Sequence, residues 1–229
     1  MEQEEMREFV RAMPPLSPAR KFSWNFRRQE LRNKILFGEI SQFADWSISK
    51  EFLVIGSTSE NECRAEAAGR PYGNLLLDNQ AYHLEKCLTD LSDLDTVYEF
   101  GSGYGTMIPV LFAHGFRGQI ISQDFPEMHL LQRYFLGDRD DITFTTTFIP
   151  GDYDLFIANC SMSEVEMYLR PTTASFGMKY CEICYQPDWN GIDNRRYFHN
   201  WMMGWTHLKW TDTIDPCYSN HRHLIGVPK

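Results

Sequence analysis

The sequence predicts an α/β fold: a largely parallel sheet covered by helices on both faces, ended by an antiparallel hairpin and preceded by a helical N-terminal segment. Three observations carry this. From residue 95 onward, apolar strand-like stretches alternate with amphipathic helical ones, which implies right-handed crossovers between parallel strands. The last two strand-like stretches are separated by "DPCYSN", too short for a crossover, so they pair antiparallel. The first strand runs into "YEFGSGYGT" (98–106), a glycine-rich turn that lets a chain leave a buried strand and enter a helix at once.

Taken in order, residues 1–92 read as a helical cap or lid and residues 93–229 as the α/β domain. "MEQEEMREF" opens a short acidic helix that the Pro-bearing "MPPLSPARKF" (13–22) separates from the next segment. That segment sets Phe26, Leu31, Ile35, Leu36, Ile40 and Phe43 at helical intervals. "EFLVIGS" can form a short strand, "AGRPYGN" (68–74) breaks the chain again, and "NQAYHLEKCLTDL" is amphipathic. The α/β part then offers strands at "TVYEFG", "GQIISQDF", "ITFTTTF", "YDLFIANCS" and "KYCEICYQ". The hairpin strands are "HLKWTDTI" and "RHLIGVP", seven in all. Helices are expected at "GTMIPVLFAHG", "PEMHLLQRYFLG", "MSEVEMYLRP" and "DNRRYFHNWMMGW".

Composition removes several function classes. A chain of 229 residues with 43% hydrophobic content buries an ordinary core. A formal net charge of -9 argues against a surface that grips phosphate backbones, so no nucleic-acid partner is expected. The N-terminus lacks the apolar region of a secretory signal, and the longest apolar stretches fall far short of the roughly 20 residues that span a bilayer. A soluble cytoplasmic protein with no membrane partner is the expectation; oligomeric state stays open. The cysteines at 63, 87, 160, 181, 184 and 217 read as reduced thiols. Cys181 and Cys184 form a C-x-x-C, but on a strand such residues point to opposite faces, so they read as core cysteines and not as a zinc pair.

The glycine turn carries the functional signal. Gly101, Gly103 and Gly105 allow a ligand to approach bare backbone, and the following helix offers unpaired N–H groups. The spacing is G-x-G-x-G followed by Thr106, which disfavours the dinucleotide fingerprint. Glu99 stands two residues before the first glycine, where its carboxylate can accept from an ammonium group or brace the turn. Asp124 ends the second strand, placed to take two hydrogen bonds from a ribose diol. A ligand with an amino-acid portion and a nucleoside, but no pyrophosphate, satisfies all three. S-adenosyl-L-methionine meets that description.

"VYEFGSGYGTMIPVLF" resembles the first motif of class I S-adenosylmethionine-dependent methyltransferases, whose Rossmann-like seven-stranded sheet ends in the same kind of hairpin. "DFPEMHLLQRYFL" (124–136), "DLFIANCSMSE" (154–164) and "GRPYG" (69–73) are similar to stretches of the putative sugar O-methyltransferase family. The likeness covers about residues 60–229. It implies that Glu99, Gly101, Ser102, Gly103, Tyr104 and Gly105 line the methionine end of the cofactor. It further implies Asp124 on the ribose, Phe125 beside the adenine, and Asn159 under the transferred methyl. Phe125 reads equally as core packing.

The implied reaction, methylation of a small-molecule acceptor at a sugar hydroxyl, needs a general base or a metal to activate the nucleophile. Glu164 is one candidate base, though Ser161-Met162-Ser163-Glu164 reads equally as a capping box. His221 and His223, sharing a strand face near Asp215, are the others. Asp215, His221 and His223 can alternatively hold a divalent ion with Asn159; the metal-free reading is favoured and no metal ligand is assigned. His199 reads as surface and His129 as packing. Trp24, Phe26, Phe43, Trp46 and Tyr72 can cover the site as a lid, or form ordinary core. "WNGIDNRRYFHNWMMGW" can line an acceptor pocket. Rival readings are N- or C-methylation of another metabolite, a methyltransferase fold that has become a binding module, and a nicotinamide oxidoreductase.

Overall fold

Strands and helices alternate from residue 96 onward much as the hydrophobic pattern requires. A computed structural model describes residues 1–16, 23–38, 72–88, 90–215 and 220–229. The suggested strand at 51–57, residues 69–71 of the suggested turn, Phe43, Trp46, Cys63 and Cys217 lie outside these, as do the side chains of Trp24, Phe26 and Tyr72.

Two helices, α1 (Gln3–Ala12) and α2 (Ser23–Phe37), open the chain, followed by α3 (Tyr72–Cys87). The α/β part runs β1 (Thr96–Phe100), α4 (Met107–Ala113), β2 (Gln119–Gln123), α5 (Pro126–Leu136), β3 (Ile142–Thr145), β4 (Gly151–Asn159) and β5 (Phe176–Tyr185). A two-strand ribbon, β6 (Asp188–Trp189) with β7 (Ile192–Asp193), leads into α6 (Asn194–Met203), and β8 (Leu208–Ile214) and β9 (Arg222–Pro228) close the chain. The main sheet has seven strands in the order β3-β2-β1-β4-β5-β9-β8. β1 to β5 are mutually parallel, and β9 lies antiparallel to both β5 and β8, as the short final turn dictates.

Alternation along the strands separates two cores. Val97, Leu155 and Ile157 point to the side covered by α3 and α4, where they meet Leu84, Cys87, Met107 and Leu111. Tyr98, Phe100 and Phe156 point to the other side, with Phe176, Trp201 and Trp205. Ring centroids of Phe156 and Phe176 stand 4.9 Å apart, and those of Phe176 and Trp205 5.0 Å, tilted as aromatic quadrupoles prefer. A third cluster packs α1 and α2 onto α5 through Met6, Val10, Leu31, Ile35, Leu130 and Leu131. α3, placed by sequence in the N-terminal segment, lies against α4, β5 and β9. Among the described residues no helix is long and apolar enough to cross a membrane.

One expected helix does not form. "MSEVEMYLRP" makes only two 3-10 turns, Met162–Glu164 and Met167–Leu169, with Val165 extended between them. The reason lies in its carbonyls. Arg170 donates from Nε to Val165 O (3.0 Å) and from Nη2 to Ser163 O (3.1 Å), and Asn194 Nδ2 donates to Ser163 O (3.1 Å). Acceptors that an α-helix would pair with N–H groups four residues on are held by side chains instead.

Candidate active site

The strand ends where β1, β2 and β4 meet bring together most of the residues singled out in the sequence. Gly101 donates its N–H to Gln123 O at 2.7 Å, which ties the turn to the end of β2. Gly101 and Gly103 have φ of 71° and 55°, the left-handed region that glycine enters without cost. The two positions face different surroundings. A Cβ on Gly101 would collide with the Ser161 side chain, whereas one on Gly103 would meet nothing within 4 Å. Gly101 therefore permits close packing of the β1 and β4 tips, and Gly103 borders open space.

The turn is braced from α5. Gln132 Nε2 donates to Gly103 O (2.6 Å) and to Ser102 Oγ (3.1 Å), while Gln132 Oε1 accepts from Ser122 Oγ (2.8 Å). Ser102 is accordingly buried and its hydroxyl is turned into the protein. Tyr104 packs its ring toward the α1–α2–α5 cluster. Gln132 was not singled out as a site residue, although it lies in "DFPEMHLLQRYFL", one of the stretches that carry the family resemblance.

Asp124 accepts from the N–H of Gly103 through Oδ2 (2.6 Å) and from that of Phe125 through Oδ1 (2.6 Å). Each oxygen keeps a further lone pair, enough for a diol. Burial pushes its pKa up to about 7, against the two main-chain donors that hold it down. Glu99 is 3% exposed, and its Oε2 has no hydrogen-bond partner among the described residues. Burial holds its pKa well above the usual carboxylate range, and the charges of Asp124 and Glu182 add to the shift. Glu182, buried on β5, is raised to about 8 by burial, partly offset by Asn159. Three carboxyls with pKa values raised by burial thus stand along the sheet: Glu99 on β1, Asp124 just past β2 and Glu182 on β5.

Phe125 caps the start of α5, with the Arg28 guanidinium over its ring at 4.9 Å, a cation–π contact. Arg28 also makes a two-bonded pair with Glu127 (3.0 and 3.1 Å), and Arg32 Nε meets the same carboxylate at 2.5 Å. Glu127 is fully buried, so α2 is tied by charge to the helix that follows Asp124.

Asn159, at the end of β4, accepts from Cys184 N (3.2 Å) and so bridges to β5. Cys160 follows with φ 52°, a left-handed conformation costing a non-glycine residue roughly 1 kcal/mol. That turn swings Ser161 back so that its hydroxyl donates to Phe100 O. The capping box is therefore not made: the Ser161 side chain caps nothing, and Glu164 instead accepts from Gln186 Nε2 at 3.0 Å. His221, half-buried, stands near Cys160, Asp215 and Glu164; burial lowers its pKa, but these neighbours outweigh it and the net shift is upward. The Sγ–Sγ contact with Cys184 (3.4 Å), then His221, outweighs burial and holds the Cys160 thiol down to about 6. Cys160 carried no sequence signal beyond its place at a strand end.

His223 is 1% exposed and lies behind this group, its ring against His83. His199 is exposed, and His129 is buried beside Phe144, as read from sequence. Cys181 and Cys184 do point to opposite faces: Cys181 sits in the aromatic core and Cys184 faces Asp215. A groove of about 590 Å³ lies along α6, lined by Tyr197, Asn200 and Trp201 with Met167 and Thr173 opposite. None of the glycine-turn residues, Asp124 or Glu164 lines it.

No family model and no curated protein sequence matches the chain. Among solved structures, the StiE O-MT segment (residues 961–1257) superposes with a TM-score of 0.50 at 12% identity, covering 76% of this chain and 81% of that one. A SAM-dependent methyltransferase from Aquifex aeolicus gives 0.49 at 12% identity, over 73% of this chain and 97% of that one. Aeropyrum pernix fibrillarin, with natively bound S-adenosyl-L-methionine, gives 0.45 at 17% identity, over 64% and 73%. What the chain shares with the first of these is the fold: a seven-stranded methyltransferase-type sheet with an antiparallel edge.

Proposed function

We propose that the protein is an S-adenosyl-L-methionine-dependent methyltransferase that methylates a hydroxyl of a small molecule, a sugar or glycosylated metabolite. One observation carries the reading: Glu99, a buried carboxyl with an unpartnered oxygen, stands beside a glycine turn whose open side, at Gly103, borders Asp124. The two acids suit the two ends of an adenosyl amino acid. Bound there, the cofactor supplies an electrophilic methyl on a positively charged sulfur.

In this reading Glu99 accepts from the ammonium group, whose charge draws the carboxyl back to its ionised form. Asp124 accepts from both ribose hydroxyls with its remaining lone pairs, and Phe125 packs beside the base. Gly103 leaves the room that any side chain would fill. α1 and α2 act as the cap over this end, held by Arg28 and Arg32 on Glu127. A cation entering these strand ends would draw Glu99 and Glu182 toward their ionised forms. Glu164, free of the capping role, or His221 takes the proton of the acceptor hydroxyl. The negative net charge fits a small acceptor better than a nucleic acid.

Titration calorimetry of the full chain with S-adenosyl-L-methionine tests this. Asp124→Ala, which removes a charge-assisted acceptor worth about 1.5–3 kcal/mol, should weaken binding roughly 10- to 150-fold. Equal affinity in the variant and the parent removes Asp124 from the site.

A further inference from the structure

We propose a second site, independent of the cofactor reading: a buried transition-metal centre formed by His83 of α3, Asp215 after β8 and His223 of β9, suited to an ion of the zinc type. His83 Nε2 lies 3.1 Å from Asp215 Oδ2, and His223 Nε2 lies 3.9 Å from the same oxygen. One ligand atom from each residue falls within 4.8 Å of the others. Around an ion with bonds of about 2.0–2.1 Å, tetrahedral ligands stand about 3.3 Å apart, so small side-chain adjustments suffice.

The second observation is His223 itself. Neither ring nitrogen has a hydrogen-bond partner among the described residues, although the residue is 1% exposed. Buried polar atoms are ordinarily paired, and a ligand is one way to pair them. Its ring faces that of His83 in parallel, with centroids 2.9 Å apart. A stack aims the ring nitrogens in parallel, so binding one ion turns His83 and His223 out of it. Cys184, directly opposite His223 in the β5–β9 register, holds Sγ 3.8 Å from Asp215 Oδ2 but falls outside the 4.8 Å cluster, so the ion's protein ligands are the three side chains above.

Two imidazole donors suit zinc-like ions over magnesium or calcium, which take oxygen. Side chains of His83, His223 and Asp215 are 3%, 1% and 0% exposed, so the centre is closed, as structural metal sites are. The ion would clamp α3 to the edge hairpin. Sequence alone suggested a different set, Asp215, His221 and His223 with Asn159. Asn159 is instead bonded to Cys184 N, His221 turns toward Cys160, and His83, 132 residues before Asp215, takes their place.

The test uses the full chain stripped by chelator and titrated with zinc alone against a chromophoric competitor. One equivalent per chain and a raised Tm are expected, with binding in His223→Leu weakened roughly a hundredfold or more. Absence of zinc binding by the folded parent, or full retention in His223→Leu, overturns the site. Should that variant not fold, cobalt substitution in the parent decides. A four-coordinate visible spectrum supports the centre, and a six-coordinate spectrum overturns it. Neither readout depends on S-adenosyl-L-methionine.

Discussion

Gly101 and Gly103 lie two residues apart, share a positive φ, and answer to different demands. Alanine at either position pays the left-handed penalty of roughly 1–2 kcal/mol. At Gly101 it also collides with Ser161, the residue that joins the β1 and β4 tips through Phe100 O. Gly101→Ala should therefore lower Tm far more than Gly103→Ala. Gly103→Ala keeps most of its stability and loses cofactor affinity, because its methyl enters the open side of the turn. Paired thermal melts and calorimetry separate the two; similar stability losses in both variants would contradict the assignment. Asp124 adds a pH signature. With its pKa raised to about 7 by burial, the carboxylate fraction grows from roughly a tenth to nine-tenths between about pH 6 and pH 8. In the proposed site ribose hydroxyls would donate to the ionised form, so affinity for S-adenosyl-L-methionine should rise up to roughly tenfold over that window. Asp124→Asn should flatten its part of the profile, and an unchanged slope would assign the effect elsewhere.

At the scale of elements, the link between α2 and α5 is the one most open to attack. Glu127 is fully buried and meets two guanidinium groups, so its removal leaves buried positive charge unpaired. Glu127→Gln should cost about 3–5 kcal/mol and release α2 first, read as lost amide-exchange protection in that helix while the sheet stays protected. Uniform loss across the sheet would mean that α2 is not held separately. The sign with pH agrees: burial raises the Glu127 pKa, the two arginines more than offset it, and the net value is depressed. The stability it contributes is present above the ordinary carboxylate pKa and fades as pH falls through the depressed one.

Elements set by local periodicity could be read from the chain alone: the strands of alternating apolar residues, α4, α5 and α6, and the glycine turn with its two acids. Features set by distant partners could not. "MSEVEMYLRP" carries an acceptable helix pattern, yet Arg170 and Asn194 hold its carbonyls in a different path. The capping box failed for a related reason, since Ser161 found Phe100 O first. Nothing near His83 in the sequence points to Asp215, because their meeting depends on α3 packing against the edge hairpin. Gln132 had a visible signal in its motif, but its work, bracing Ser102 and Gly103, became apparent only in three dimensions.

For the molecule as a whole, the proposed function comes down to one claim: the glycine turn between β1 and β2, with Glu99 and Asp124 beside it, receives an adenosyl amino acid with a positive charge. Thermal unfolding of the full chain tests it most directly. At a hundred times Kd, S-adenosyl-L-methionine stabilises by about 2.7 kcal/mol, which for a chain of this size raises Tm by roughly 5–10 °C. The account predicts that rise with S-adenosyl-L-methionine and none with NADH; a rise with NADH and none with the sulfonium would contradict it.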